Sequence, residues 1–128
     1  MPKTNYLDTV LLNHVLRAIP YTPPTGIYVA LYTTTPTPTS PGVEVGSGGG
    51  YMRQQATFTA PVSGVVSNAA DVLFPIATLP WNTIVAFALL DAPTGGNMLY
   101  FGTFSTPRLV DVNDQPKFPI GSLVISEQ

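Results

Sequence analysis

The side chains that could do chemistry are few, and their spacing does not assemble a mechanism. His14 is the only histidine. It falls on or beside an apolar helical face, and one imidazole without a partner defines no acid–base site. A Ser-His-Asp arrangement would need His14 as its base, yet nothing in the sequence brings a serine and a carboxylate to it. The carboxylates are Asp8, Glu44, Asp71, Asp91, Asp111, Asp114 and Glu127, and only Asp111-Val112-Asn113-Asp114 forms a cluster. Alternating oxygen ligands can hold Ca²⁺, but the long loop with its closing Glu is missing. An Asn-Asp turn is the better reading, and Asp91 before Ala92-Pro93 reads as an Asx-type turn. Ser47-Gly48-Gly49-Gly50 neither follows a strand nor opens a helix, so it is no dinucleotide fingerprint, and no lysine-bearing phosphate loop is present. The chain has no cysteine, which excludes disulfides, thiolate metal sites and a cysteine nucleophile. The expectation is a protein that is not an enzyme, with no catalytic residue, no cofactor and no metal.

The elements that would position any site are mostly strands. Leu7, Val10, Leu11, His14, Val15 and Ala18 recur at helical spacing and predict one helix over 5–18. Asn5 can cap it, Asp8 and Arg17 suit its first and last turns, and Pro20 forbids continuation. After a turn at Pro23–Gly26, Ile27–Thr33 reads as a strand buried on both faces. Thr34–Gly50 (TTPTPTSPGVEVGSGGG) alternates Pro and Thr, which neither helix nor ladder accepts. It should be an arm over 34–50, extended to Pro41 and flexible at Gly46–Gly50. The residues before it are too few for a core of their own. The chain therefore reads as a single domain over 1–128, with the arm as a long loop inside it. Excising 35–48 should then spare folding.

Beyond the arm the pattern is β. Tyr51–Thr59 alternates, with Met52, Ala56 and Phe58 on one side. Val62–Val66 and Val72–Phe74 are short strands around a Ser67-Asn68 turn. Thr83–Leu90 is the strongest strand, joined through Ala92–Gly96 to Asn97–Phe104. Leu109–Val112 and Ser122–Ile125 close the chain. The fold class is mainly β: an antiparallel β-sandwich, jelly-roll-like, of about seven short strands, with the helix packed on it or at its edge. The sandwich would be built from 27–33 and 51–126. The aromatics Phe58, Phe74, Trp81, Phe87, Tyr100, Phe101 and Phe104 fit a core better than a sugar platform, with Trp81 plugging one end.

Composition narrows the partners. Charged residues make up 9% of the 128 positions and hydrophobic ones 45%, where an average domain has about 25% charged. Disorder is disfavoured by that balance. The net charge of −2 offers no basic surface for nucleic acid. The longest apolar run, within Ile84–Leu90, falls far short of the ~20 residues that span a membrane. Asp8, Asn13 and His14 interrupt any signal-peptide pattern, so the chain is expected to fold in a host cytoplasm. A weakly charged surface favours association, which suits a subunit living against other proteins.

The order of motifs adds a resemblance. Leu7-Asp8-Thr9-Val10-Leu11-Leu12-Asn13-His14-Val15 is followed by Tyr28-Val29-Ala30-Leu31-Tyr32-Thr33 and the Thr/Pro arm. Then come Gly48-Gly49-Gly50-Tyr51-Met52-Arg53-Gln54, Ser67-Asn68, Phe74-Pro75, Trp81 and Ala86-Phe87-Ala88-Leu89-Leu90-Asp91. Gly95-Gly96-Asn97-Met98-Leu99-Tyr100-Phe101-Gly102 and Phe118-Pro119-Ile120-Gly121 complete the series. Nearly end to end, this resembles a family of small virion proteins of tailed bacteriophages, variously labelled capsid cement (decoration) or tail fibre proteins. The resemblance implies a virion structural role and supplies no catalytic residues.

Of the two roles, the arm favours cement. An extended, proline-stiffened arm loses little entropy on docking across a neighbour. The expected partners are the major capsid protein and the chain itself, as a homotrimer on the capsid exterior, with neither nucleic acid nor membrane involved. The expected contact residues are Val43, Val45, Tyr51 and Arg53, Arg53 offering a planar bidentate fork to a neighbouring carboxylate. Tyr51 and Arg53 could equally open an ordinary strand. A tail fibre or receptor-binding module is the alternative, and a small glycan-binding accessory domain is a third possibility.

Overall fold

The computed structural model describes residues 1–126. Its one α-helix, α1, spans Asn5–Arg17. Thr4, not Asn5, is the cap: its Oγ1 accepts from the Leu7 N–H at 3.3 Å and donates to the Met98 carbonyl at 2.6 Å. The same hydroxyl thus closes the helix start and fastens it to the sheet. At the other end Ala18 turns left-handed (φ 54°), and the Ile19 N–H returns to the Asn13 carbonyl at 3.1 Å. That closure stops the helix before Pro20 can.

Nine strands are assigned among the described residues: β1 (Ile27–Thr34), β2 (Val43–Glu44), β3 (Gln54–Ala56), β4 (Val65–Ser67), β5 (Val72–Leu73), β6 (Asn82–Leu90), β7 (Met98–Val110), β8 (Lys117–Phe118) and β9 (Val124–Ser126). All pairings are antiparallel, and no barrel closes. The main sheet runs β2-β1-β6-β7, with β3 also on β1. β1 pairs β6 from Tyr28↔Leu90 to Tyr32↔Ala86. Its other edge is shared, β3 beside Ile27–Val29 and β2 beside Tyr32–Thr34. Two ribbons, β4–β9 and β5–β8, complete the fold.

Central burial follows from alternation. Val29 and Leu31 of β1 join Ile84 and Leu89 of β6 in one cluster, together with Val72, Phe74, Leu123 and Ile125 from around the ribbons. Ala30 and Tyr32 point the other way and meet Ala86, Ala88, Leu90 and Phe101. β1 is therefore buried on both faces, as its unbroken apolar run predicts.

The differences from expectation have local causes. β7 runs through Pro107 and takes in Leu109–Val110, which the sequence assigns to a separate strand. The register jumps from Ile84↔Arg108 to Ala86↔Thr103. Residues 104–107 therefore bulge out, where a proline without an N–H costs no ladder bond. Tyr51–Thr59 shrinks to Gln54–Ala56, with Phe58 making only a bridge to Asn68. Asn68 is no exposed turn residue. It is 1% exposed and its side chain donates to the Ala70 and Pro119 carbonyls and accepts from the Leu123 N–H, each at 2.9 Å. The Asp111–Asp114 cluster is a turn: Asp114 Oδ2 accepts from the Asp111 N–H, and Asp111 Oδ1 from the Val112 N–H, each at 2.8 Å.

The largest difference is the arm. It is not an extended limb but a strap folded onto the body. Pro36 is fully buried. Thr37 and Ser40 bond each other's backbone in a turn, and the Pro38 carbonyl accepts from the Asn5 N–H at 3.1 Å, tying the strap to the helix start. Gly42 sits at φ +68°, where a Cβ would lie 2.7 Å from the Thr34 carbonyl oxygen. Only glycine allows the chain to double back there. Val43–Glu44 then pairs β1, and Ser47–Gly49 forms a short 3₁₀ turn rather than a flexible hinge. Gly49 packs so closely on the indole that an added Cβ would sit 2.9 Å from Trp81 Nε1, and that N–H donates to the Gly49 carbonyl at 2.9 Å.

Candidate functional site

The residues singled out around the strap come together, but inside the molecule. Val45 and Tyr51, expected to reach a neighbouring subunit, are core residues, 7% and 6% exposed. Tyr51 packs edge-on against Trp81 and stacks with Phe74, at ring separations of 5.4 and 6.3 Å. Neither side chain can serve as a docking residue without unpacking that cluster. Tyr51 does not open a strand either, because β3 begins at Gln54. Val43 alone of the four presents an exposed side chain.

Arg53 makes the bidentate carboxylate contact its chemistry suggests, but with Glu44 of its own chain. Nε reaches Oε2 and Nη2 reaches Oε1, both at 2.8 Å. Its Nη1 donates to the Ala92 and Gly95 carbonyls at 3.0 and 2.8 Å, clamping the β6–β7 loop. Glu44 Oε2 also accepts from the Tyr51 hydroxyl at 2.6 Å, and that hydroxyl accepts from the Leu31 N–H at 3.0 Å. Strap, central strand and hairpin loop are thus held through one carboxylate. Burial alone would raise the Glu44 carboxyl, but hydrogen bonds from Arg53 and Tyr51 and the Arg53 charge outweigh it and hold it below its ordinary value. The hydrogen bond to Glu44 raises Arg53. Burial, then the bond to Glu44, pushes the Tyr51 phenol far up. Burial and the Glu44 charge push the Tyr32 phenol up to about 12. All of these groups keep one charge state across neutral pH, so the cluster acts as a fastening.

The helix exposes what the body does not use. Leu7 is its only buried residue. Val15, predicted on the packed face, is 71% exposed, and Leu12, Leu16 and Ile19 are 58%, 74% and 41% exposed. The spacing of Leu12, Val15, Leu16 and Ile19 is i, i+3, i+4, i+7, a second apolar stripe beside the one containing Leu7. Its signal lies in the sequence, hidden because the first stripe accounts for the helix. His14 lies exposed near the helix end with Nδ1 3.3 Å from the Ile19 carbonyl oxygen.

A family model described as Podophage GP4 fiber I protein gp80 matches residues 2–126. The chain belongs to this family. It is thus a structural protein of a bacteriophage virion. No curated protein matches the sequence.

This gp80-family chain also carries a groove of about 510 Å³ beside the β7 bulge. Phe87, Phe104 and Phe118 form its aromatic wall, with centroids 5.2 to 6.0 Å apart. Arg108 and Lys117 stand among the lining residues. Phe87 can lie flat there because Gly102 is its cross-strand partner; a Cβ at Gly102 would meet the ring at 2.8 Å. Among the described residues no helix is long and apolar enough to cross a membrane, and no group of His, Cys, Asp and Glu is placed to hold a metal.

Proposed function

We propose that this chain is a non-enzymatic component of a phage tail fibre, a compact β body that joins other virion chains through its surface. The match to a fiber I protein over nearly the whole chain carries the reading. The structure supports it in two ways. The strap that favoured a cement role by reaching across capsid subunits is folded on the body, with Pro36 and Val45 buried, so that reading loses its physical warrant. The groups that could have done chemistry have structural employment: the Asp111 and Asp114 carboxylates serve turn N–H groups, and Glu44 and Arg53 serve each other.

Position and copy number on the virion test this. Quantitative mass spectrometry of purified particles, against the major capsid protein, should give few copies per particle, and labelled antibody should decorate the tail. Copies in proportion to the capsid lattice, with label over the head, would refute the fibre assignment and restore cement.

A further inference from the structure

The groove beside the β7 bulge adjoins an open sheet edge. β7 is the terminal strand of the main sheet. The first residues of the chain cover its outer edge only over residues 99–101, where Lys3 bridges Tyr100 and the Phe101 N–H donates to the Pro2 carbonyl at 3.1 Å. From Thr103 to Thr106 no segment among the described residues pairs with that edge. Backbone N–H and C=O groups left in such a row are a template for one more strand. The bulge and Pro107 keep the row short. That discourages edge-to-edge pairing of whole sheets and still leaves room for one extended segment.

A strand laid along that edge turns every second side chain toward the groove. The groove holds about 510 Å³, within the range of pockets that bury a ligand group. Its phenyl wall is half-buried and rests on the core, with Ile84 and Leu123 behind it. One aromatic or leucyl side chain would be covered there. The rim is cationic. Among the described residues the exposed Arg108 guanidinium has no carboxylate partner. Lys117 Nζ stands 4.0 Å from Asp71 Oδ2, with both side chains about half exposed, and Asp71 Oδ1 accepts from the Ile120 N–H at 2.7 Å. The other Lys and Arg residues are engaged elsewhere: Lys3 with Asp8, Arg17 with Asn13 and Arg53 with Glu44. In a chain of net charge −2, two cations gathered on one groove select an acidic partner.

We propose that the open edge of β7 and the groove beside it form a docking site for an extended acidic segment of another virion chain. The segment's backbone pairs with residues 103–106, one apolar side chain enters against Phe104 and Phe118, and its carboxylates meet Arg108 and Lys117. A second copy of this chain does not fit, because its one acidic cluster, Asp111 to Asp114, is closed into a turn by its own carboxylates. The site goes beyond the fibre assignment and does not depend on whether the protein stands on head or tail, so the two can fail separately.

Nuclear magnetic resonance titration of the full chain with the end-blocked peptide Glu-Phe-Glu-Leu-Glu tests it. Shifts confined to residues 103–108 and 117–118 should appear by millimolar concentration. The lysine counterpart, Lys-Phe-Lys-Leu-Lys, and the acidic peptide methylated on its backbone nitrogens should each bind about tenfold more weakly or not at all. Arg108→Glu should weaken the acidic peptide about tenfold, with the melting temperature unchanged because the side chain is exposed. Lys117→Gln should act in the same direction and guards against a fault peculiar to one variant. In intact particles, benzoylphenylalanine in place of Ser105 should cross-link to a different virion chain, at a segment rich in Asp and Glu. No binding of the acidic peptide, equal binding of the lysine or methylated peptide, or affinity untouched by both substitutions overturns the proposal. So does a cross-link to a second copy of this chain in place of a different one.

Discussion

Replacing Arg53 with Met keeps most of the stem and removes the guanidinium. Four hydrogen bonds go with it, two to Glu44 and one each to the Ala92 and Gly95 carbonyls. Breaking a buried ion pair by removing one partner costs about 3–5 kcal/mol, because a charge is left uncompensated. Here the Arg53 side chain is 9% exposed but that of Glu44 is 25%, and water will partly serve the orphaned carboxylate. The expected loss is therefore about 2–3 kcal/mol, roughly 10 °C in melting temperature for a chain of this size. The same substitution should change the acid limb of stability. In the wild type the Glu44 carboxyl lies below its ordinary value of 4.5. Its contribution is complete above that value and is lost as pH falls through the lower folded one. Without Arg53, burial opposes only the Tyr51 bond, so the acid-dependent loss should shrink. Urea unfolding at a series of pH values measures both effects, and amide exchange should show Ala92–Gly96 opening faster. A variant within about 0.5 kcal/mol of the wild type, with the same slope below pH 4.5, would refute the clamp.

Other consequences can be checked by the same unfolding assays. Asn68→Ala removes three side-chain bonds from a site 1% exposed and should cost about 3 kcal/mol; a change under about 1 kcal/mol would mean that water replaces the amide. Gly49→Ala forces a methyl against the Trp81 ring and should cost about 1–3 kcal/mol, with altered emission from the single tryptophan; unchanged emission and stability would deny the close packing. Excising 35–48, which a free arm would tolerate, removes Pro36, β2 and Val45 and should lower the melting temperature by about 10 °C or more. A cooperative unfolding transition at the wild-type temperature would show that the strap is dispensable.

The strands and helix that the sequence makes plain are those whose burial is set by their own pattern. β1 and β6 read as buried because their apolar runs leave no polar face, and both are central. α1 reads correctly to within a residue at its C-terminal end because Leu7, Val10 and Leu11 recur at its period. What escaped depends on partners distant in the chain. Glu44 carries no local mark of its role, since Tyr51 and Arg53 meet it only after the strap reverses at Gly42. A Thr/Pro run looks stiff and extended from its composition, and each Thr-Pro unit is so locally. Its direction is decided by one left-handed glycine and by tertiary bonds such as Asn5 to Pro38. Asn68 reads as a turn residue because it is polar and stands between two short strands. Its burial comes from residues 119–123, about fifty positions on. The bidentate chemistry of Arg53 was readable, but whether its carboxylate belonged to the same chain was not.

That last distinction bears on how such a small protein can be both stable and sociable. A chain with so few charges cannot rely on surface repulsion to choose its neighbours. It can instead consume internally every polar group that would make nonspecific contacts and leave its apolar offer in one place. The described residues show the first half of that division more fully than the second, since Val62, Leu109 and Ile120 are exposed away from α1. No buried side-chain nitrogen or oxygen lacks a partner, and Arg53 and Glu44 are turned inward on each other. The densest run of exposed apolar side chains stands on the C-terminal half of α1, anchored only at its start. A helix held by its cap and first turn can present its remaining turns without straining the sheet. Substitutions on the stripe should therefore leave folding alone, and substitutions in the strap should lower stability.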